Sequence, residues 1–249
     1  MGFAYHSKSS TSEAASANHI HSAAIAVTAG DLIVVFTFWA DNADSFTCSD
    51  TIGNSYSYGS AINYGGGTYA QMGYAVSTGT NASNITTSTF VNTAATYKSQ
   101  IVYVFTPDAG DTVSILNAQA TGTGWGKALL TASVSDWTET DVVAIAGGTD
   151  YDNLVIGSMN IDDVAADGSE NESSTGIYSA AWYRLFTGAG TTVHADAAIG
   201  ANSDWACILV TFKSVAGAGG GGTTTSRASS STSRRRNISK RTGSGLIIL

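Results

Sequence analysis

The chain has 249 residues, of which only 12% are charged, 28 are glycine and one is proline, and its formal net charge at pH 7 is −8. Residues 1–216 hold all 19 acidic residues and five basic ones, a net charge of −14, whereas residues 217–249 hold six basic residues and no acidic one. We therefore do not expect the acidic body to bind nucleic acid or an anionic membrane.

The body is predicted to be a single all-β domain over residues 1–216, with residues 1–18 as a candidate N-terminal arm. Glycine, serine, threonine and aromatic residues suit short strands and tight turns, and no stretch shows a helical period. The N-terminus lacks the apolar segment of a secretory signal, and the longest apolar run, residues 32–40, is about half a membrane span. Synthesis without a signal peptide, in the cytoplasm, is therefore expected.

Four runs of strand length are apolar at nearly every position: residues 32–39, 100–105, 141–145 and 205–212. Apolar side chains on both sides of a strand are typical of central strands that are covered on both faces. Residues 69–76 and 84–91 mix small, polar and large side chains, which predicts half-exposed strands.

Turns are predicted between these strands wherever glycine lies beside small or polar residues. They fall at residues 29–31, 52–54, 65–67, 122–124 and 188–190.

A weak internal repeat relates the two halves of the body. Residues 31–35 (Asp-Leu-Ile-Val-Val) match 152–156 (Asp-Asn-Leu-Val-Ile). The strands that begin at Tyr69 and Ile101 match those that begin at Tyr178 and Cys207. Two similar multi-stranded halves around one core predict a jelly-roll or Greek-key β-sandwich.

Five segments carry a resemblance to a known group: residues 30–36, 49–57, 73–76, 152–157 and 203–213. They provide an aspartate at a turn that enters a strand, a Gly-Asn turn and a closing strand that contains tryptophan. The chain thus resembles β-sandwich (jelly-roll-like) domains found in tailed-phage structural proteins and in bacterial or environmental surface proteins. The resemblance covers about residues 20–214 and implies the sandwich fold and a structural role.

Cysteine and histidine are scarce. Cys48 and Cys207 are too few for a disulfide framework, and we predict two small buried thiols, with a disulfide between them as the alternative. His19 and His21 lie two residues apart, so a strand would place both on one face. The pair is either a surface or interface feature or part of a metal site whose third ligand the sequence does not identify.

An acidic stretch over residues 162–172 packs five carboxylates into eleven positions: Asp162, Asp163, Asp167, Glu170 and Glu172. Oxygen-rich loops of this kind bind calcium in some proteins, but the spacing does not fit the EF-hand pattern. A solvated loop at the rim of the sandwich is the main prediction, with a calcium loop as the alternative and no other cofactor expected.

Catalytic motifs with recognisable spacing are absent from the sequence, including the nucleophile elbow, the phosphate-binding loop and the zinc-binding helix. Several aromatic residues have the shape to stack on sugar rings, although core or interface positions explain most of them. They are Trp39, Tyr56, Tyr58, Tyr64, Trp125, Trp137 and Trp182.

Residues 217–249 form a Gly/Ser/Arg-rich tail with an apolar end. It reads as a disordered linker, as a segment that orders on a partner, or as a nucleic-acid or lipid contact. With the resemblance, it leads us to expect a non-enzymatic phage virion structural protein, in particular a capsid decoration or cement protein anchored by its tail. The predicted anchoring residues are Arg234, Arg235, Arg236, Leu246, Ile247, Ile248 and Leu249.

The expected partners are the major capsid protein or other virion subunits, with copies of the chain forming a homo-oligomer such as a trimer. Localisation in the virion follows from this hypothesis, and neither a membrane nor a nucleic acid is expected as a partner. The alternative function is a carbohydrate- or host-receptor-binding module, such as a tail-fibre or adhesin domain, and an enzyme is the third hypothesis.

Overall fold

The computed structural model describes residues 2–14, 17–40, 45–64, 67–91, 95–134, 137, 139–174, 176–189 and 192–216. These residues form 18 β-strands in several antiparallel sheets and no helix, which confirms the predicted all-β sandwich. None of the described residues therefore belongs to a helix that is long and apolar enough to cross a membrane. The predicted tail, residues 217–249, lies outside the described residues.

The first half of the body, residues 3–107, contains eleven strands: β1 (Phe3–Glu13), β2 (His19–His21), β3 (Ile25–Val27), β4 (Leu32–Ala40), β5 (Phe46–Asp50), β6 (Ser57–Tyr58), β7 (Ile62–Tyr64), β8 (Thr68–Val76), β9 (Asn81–Asn84), β10 (Thr86–Phe90) and β11 (Lys98–Pro107). The second half, residues 111–216, contains seven: β12 (Asp111–Leu130), β13 (Val142–Asp150), β14 (Ile156–Ile161), β15 (Val164–Ala165), β16 (Gly168–Ser174), β17 (Ile177–Phe186) and β18 (Ala195–Ala216).

The first half is a two-layer sandwich. Its large sheet has the order β1-β11-β4-β8, with β6 and β7 paired to β8, and its outer layer consists of β2-β10-β5 and β3-β9. Ile20, Phe46 and Phe90 of the outer layer pack against Val35 and Trp39 of the large sheet. The candidate arm, residues 1–18, contains β1, which is hydrogen-bonded to β11 along its length.

The second half builds a similar sandwich from fewer, longer strands. Its sheet has the order β15-β14-β18-β13-β17-β16, with β12 also paired to β18. The last residues of β12 and the first residues of β18 form an outer layer together with β14. In this layer, Leu129 and Ile156 cover Trp182 and Leu209 of the large sheet.

The internal repeat is visible in the strand order. β1-β11-β4-β8 of the first half corresponds to β12-β18-β13-β17 of the second, and the outer layer β2-β10-β5 corresponds to residues 128–130 of β12, the start of β18, and β14. Individual hydrogen bonds match as well. The amide of Thr86 donates to Ser22 Oγ at 2.9 Å, and the amide of Ala195 donates to Thr131 Oγ1 at 2.9 Å.

One predicted equivalence was wrong. The counterpart of β4 is β13, because each lies between the two neighbours that correspond in the other half. Residues 153–155, which the sequence comparison matched to β4, form the connection between β13 and β14. The Asp-aliphatic pattern occurs at both places, and only the hydrogen-bonded register separates them.

The two large sheets face each other across a central core, which completes four layers. Phe36, Tyr103 and Met72 of the first half meet Ile145 and Ile208 of the second. This arrangement covers both faces of β4, β11 and β13 and the apolar part of β18, as predicted for central strands. It also buries most of β8, where the sequence predicted half-exposure, while β10 alternates between buried and exposed positions.

Residues 122–124 do not form the predicted turn, because β12 continues through them. The two glycines serve close approach instead. A Cβ at Gly122 would lie 1.7 Å from the carbonyl oxygen of Leu130, and one at Gly124 would lie 2.7 Å from the indole of Trp205. Glycine inside a strand often marks such a contact. The predicted turns at Gly30 and Gly53 do occur, with φ angles of 94° and 86°.

Candidate functional site

The predicted anchoring residues of the tail, from Arg234 to Leu249, all lie outside the described residues. The candidate sites that fall on described residues all belong to the body, residues 1–216.

The acidic stretch does not form one loop. Asp162 and Asp163 form the two-residue turn between β14 and β15, both with positive φ. Asp167 Oδ2 accepts a hydrogen bond from the amide of Leu185. Glu170 lies on β16 and pairs with Lys8 of the first half. The fifth carboxylate, Glu172, also lies on β16. These different environments do not gather the five carboxylates around one point.

His19 and His21 do share one exposed face of β2, and their ring centroids are 4.7 Å apart. Each ring has a polar neighbour: His19 Nδ1 lies 3.0 Å from Asn18 Oδ1, and His21 Nδ1 lies 2.8 Å from Thr87 Oγ1. Within the described ranges, no third histidine, cysteine or carboxylate joins the pair to form a metal-ligating group. The geometry is that of a surface pair.

Both cysteines are free thiols, which excludes the disulfide alternative. Cys48 packs at the core of the first-half sandwich, and Cys207 is fully buried in the core of the second. Burial raises the pKa of Cys48 to about 12 and also raises the pKa of Cys207. Neither side chain is therefore a thiolate nucleophile at neutral pH.

The motif aspartates have structural roles. Asp31 is buried before β4, where its carboxylate accepts hydrogen bonds from the amide of Thr28 and the hydroxyl of Thr106 and lies 2.7 Å from His6 Nδ1. A β-bulge at His6 aims that imidazole toward Asp31.

Asp50 closes the Gly-Asn turn. Its Oδ1 accepts hydrogen bonds from the amides of Gly53 and Asn54, and its Oδ2 accepts them from Asn54 Nδ2 and the Tyr56 hydroxyl. Burial alone would raise the pKa of Asp50, but these hydrogen bonds outweigh burial and hold the pKa below its ordinary value. The carboxylate is therefore stabilised in its ionised form.

The candidate sugar-stacking aromatics are mostly internal. Trp39, Trp137 and Trp182 are buried, whereas Tyr58 is 39% exposed and its hydroxyl accepts a hydrogen bond from the amide of Cys48. The side chain of Tyr64 is outside the described part of the structure. Trp125 differs from the other tryptophans because 59% of its surface is exposed.

Trp125 belongs to a row of three side chains across neighbouring strands. It lies opposite Asp204 in the β12–β18 ladder, and the amide of Tyr151 donates to the Asp204 carbonyl at 3.0 Å, one residue beyond the β13–β18 ladder. Directly opposed residues share a face, with Cβ atoms about 5 Å apart, so the Cβ atoms of Trp125 and Tyr151 flank that of Asp204 and are about 10 Å from each other. Tyr151 is 45% exposed. We call Trp125, Asp204 and Tyr151 the aromatic row.

A second constellation lies where β14 meets the start of β18. One potential ligand atom from each of Asp163, His194 and Asp196 lies within 4.8 Å of the other two, and these are the one group of three potential metal-ligating side chains among the residues that the structure describes. Asp163 belongs to the predicted acidic stretch, whereas the other two residues were not part of any predicted site. We call these three residues the second-half corner.

Neither constellation was predicted as a unit, although each has a sequence signal. His194 and Asp196 are two residues apart, the spacing that brings side chains to one face of a strand. Trp125 lies between two glycines, and glycine within a strand often marks an unusual strand position, although the sequence of residues 122–124 predicted a turn. Asp163, Asp204 and Tyr151 join them through cross-strand pairing, which no local pattern specifies.

Comparisons of the chain with protein-family models, with curated proteins and with solved structures found no match.

Proposed function

We propose that the protein is a non-enzymatic carbohydrate-binding module, and that the aromatic row is its binding surface. The observation that carries the proposal is the pair of exposed aromatic residues, Trp125 and Tyr151, whose backbones lie on either side of Asp204. Exposed aromatic side chains stack on the apolar faces of sugar rings, and a carboxylate accepts hydrogen bonds from sugar hydroxyls.

The geometry favours a chain of sugars over a single ring. Two aromatic residues with Cβ atoms about 10 Å apart on one face lie side by side, so they suit two units of an oligosaccharide better than the two faces of one sugar. Asp204 then lies between the stacked units as an acceptor. Because Trp125 and Asp204 lie on paired strands and the amide of Tyr151 is hydrogen-bonded to the Asp204 carbonyl, little ordering is needed upon binding.

A glycan array probed with the full chain tests this proposal. We expect saturable binding to a class of oligosaccharides, and Trp125→Ala should weaken it at least about tenfold, since exposed tryptophans contribute strongly to binding surfaces. Ile115→Ala is the matched control because Ile115 is an exposed residue on the same strand, ten positions away. Absence of saturable binding, or equal loss in both variants, would reject the aromatic row as a carbohydrate site.

A second candidate is a phage virion structural protein, such as a capsid decoration protein, that is anchored by residues 217–249. The contrast between an acidic body of net charge −14 and a tail with six basic residues supports this proposal. In it, Arg234, Arg235 and Arg236 pair with an acidic partner surface, and the apolar end is buried in a groove of a capsid subunit. The copies assemble as a homo-oligomer.

The two candidates are compatible because they use separate parts of β18, its middle and its C-terminal end. β18 ends at Ala216, where the tail begins, and Asp204 lies twelve residues earlier, roughly 40 Å away along a strand. A protein held at Ala216 would present the aromatic row away from its anchor. Co-sedimentation with virus particles tests the anchor: deletion of residues 217–249 should abolish it, and retained attachment would contradict it. Trp125→Ala should leave it unchanged.

A further inference from the structure

We propose that the second-half corner, formed by Asp163, His194 and Asp196, binds a divalent transition-metal ion, with Zn²⁺ as the best match. His194 Nε2 lies 3.5 Å from Asp163 Oδ1 and 3.9 Å from Asp196 Oδ1. One imidazole and two carboxylates are a common ligand combination for such ions. This site is independent of the aromatic row and of the tail.

The backbone holds the three ligands together. Asp196 is the second residue of β18 and His194 precedes it by two positions, so their side chains share a face. The turn that carries Asp163 is fixed to the same strand by a hydrogen bond from the amide of Asp162 to the carbonyl of His194, with a length of 2.9 Å. Ligands from two elements are therefore brought to one point by strand pairing.

One carboxylate oxygen in the corner lacks a protein donor. Asp196 Oδ1 is a buried atom with no hydrogen-bond partner, whereas Asp196 Oδ2 accepts a hydrogen bond from Asn160 Nδ2 at 2.9 Å. Burying a carboxylate oxygen without a partner costs free energy. A cation at the corner would supply the missing interaction, and Asn160 would orient the ligand from behind.

The local charge suits a divalent cation. Two carboxylates and a neutral imidazole give a charge of −2, which one divalent ion neutralises. The neighbouring Arg184 does not occupy the corner, because its guanidinium donates to the carbonyl of Ile161 and lies 3.7 Å from Asp162 Oδ2.

The ligand set favours Zn²⁺ over Ca²⁺. Calcium prefers six to eight oxygen ligands, whereas zinc accepts imidazole nitrogen readily and needs only four ligands. Ligand atoms around a tetrahedral zinc ion are about 3.4 Å apart, close to the 3.5 Å between His194 and Asp163. The Asp163 side chain is 86% exposed and is free to adjust, and water would complete the coordination.

Calorimetric titration of the chelator-treated full chain with Zn²⁺ tests the proposal. We expect one ion per chain, with weaker binding of Ca²⁺. His194→Gln should weaken Zn²⁺ binding by at least about 100-fold, the upper range seen for loss of residues that merely support a ligand. Asp163→Asn should also weaken it, and this exposed residue can be changed with little risk to folding.

His21→Gln is the matched control, since His19 and His21 are the exposed pair that would capture zinc adventitiously. This variant should bind Zn²⁺ like the unchanged protein, and circular dichroism should show the same β-rich fold for every variant. Zinc binding that survives His194→Gln but is lost in His21→Gln would overturn the proposal. So would Ca²⁺ binding as tight as Zn²⁺ binding, or no zinc binding at all.

Discussion

The two halves of the body build the same corner from different side chains. In the second half, the amide of Asp162 donates to the carbonyl of His194; in the first, the amide of Thr51 donates to the carbonyl of Ile85 at 3.2 Å. The ligand positions of the second-half corner, Asp163, His194 and Asp196, correspond in the first half to Ile52, Ile85 and Thr87.

Without the ligand side chains, the first-half corner is an open cleft of about 520 Å³. Its lining residues are His21, Ser22, Ser49, Asp50, Thr51, Ile85 and Thr87. The backbone hydrogen bonds are thus shared, while the chemistry differs with three side chains. The shared architecture therefore supplies a backbone frame, and the function of each corner depends on the residues placed on that frame.

The halves also differ in an aspartate that each holds in a hydrogen-bonded turn, half-buried Asp50 in the first and buried Asp150 in the second. Asp50 has hydrogen-bond donors on both carboxylate oxygens, whereas Asp150 Oδ2 is buried without a partner. Burial raises the pKa of Asp150 to about 7, even though the amide of Leu154 donates to its Oδ1. One aspartate therefore favours the folded state when ionised, and the other when protonated.

The largest expected effect comes from breaking the contact between the halves. Phe36 is fully buried in the central core, where it packs against Gly147. Phe36→Ala should lower the free energy of unfolding by about 3–5 kcal/mol, because it removes a large side chain and leaves a cavity. Guanidinium denaturation should show one transition, shifted as a whole. Two separate transitions, only one of them shifted, would show that the halves unfold independently.

The matched hydrogen bonds provide a direct test of the repeat. Ser22→Ala and Thr131→Val each leave a buried amide, that of Thr86 or Ala195, without its side-chain acceptor. Each substitution should lower the free energy of unfolding by about 1–3 kcal/mol, by a similar amount in both variants. A cost confined to one of them would mean that the two corners are not energetically equivalent.

The two aspartates should give opposite pH dependences. The stability from Asp150 is fully present below its unfolded pKa of 3.8 and is lost as the pH rises through about 7. That from Asp50 is present above its unfolded pKa of 3.8 and is lost as the pH falls through its lowered folded pKa.

In the unchanged protein, Asp150 should lower the free energy of unfolding by at most about 1.4 kcal/mol for each pH unit between pH 4 and 7. This decrease should be absent from Asp150→Asn. Asp50→Asn should change only the acid side of the profile. Denaturation from pH 3 to 8 measures both slopes, and an Asp150→Asn profile parallel to that of the unchanged protein would refute the assignment.

Transferring the three ligand side chains to the first-half corner should change the protein least, because only its zinc stoichiometry is expected to differ. Ile52→Asp, Ile85→His and Thr87→Asp together should raise the zinc stoichiometry from one to two ions per chain, because the backbone frame is already present. Ile85→Gln alone is the control and should leave it at one. If the triple variant folds but still binds one ion, the frame is insufficient to define the site.

Much of the architecture follows from local sequence patterns. The apolar runs at β4, β11, β13 and β18 identify central strands because both faces of each are covered. Elsewhere such patterns predict the wrong element, because similar local sequences occur in different structures. The Asp-aliphatic sequence before β14 resembles the start of β4, and glycines within β12 resemble a turn, until cross-strand contacts are known.

The second-half corner and the aromatic row were less predictable, because each depends on cross-strand contacts between residues that are distant in sequence. Asp163 and His194 are 31 residues apart in sequence, and Trp125 and Asp204 are 79 apart. Only the register of β12, β14 and β18 brings these residues together. The sequence therefore indicates which side chains have suitable chemistry, whereas long-range pairing decides which of them act together.

The length of β18 has a mechanical consequence. Between Ser203 and Ala216 it is hydrogen-bonded to β12 on one side and, over much of that length, to β13 on the other. A pull on Ala216 along the strand would load both ladders in shear, so many hydrogen bonds would have to yield together. A body tethered by its C-terminal end would thus resist mechanical unfolding, because the force would act on β18, which is hydrogen-bonded on both sides.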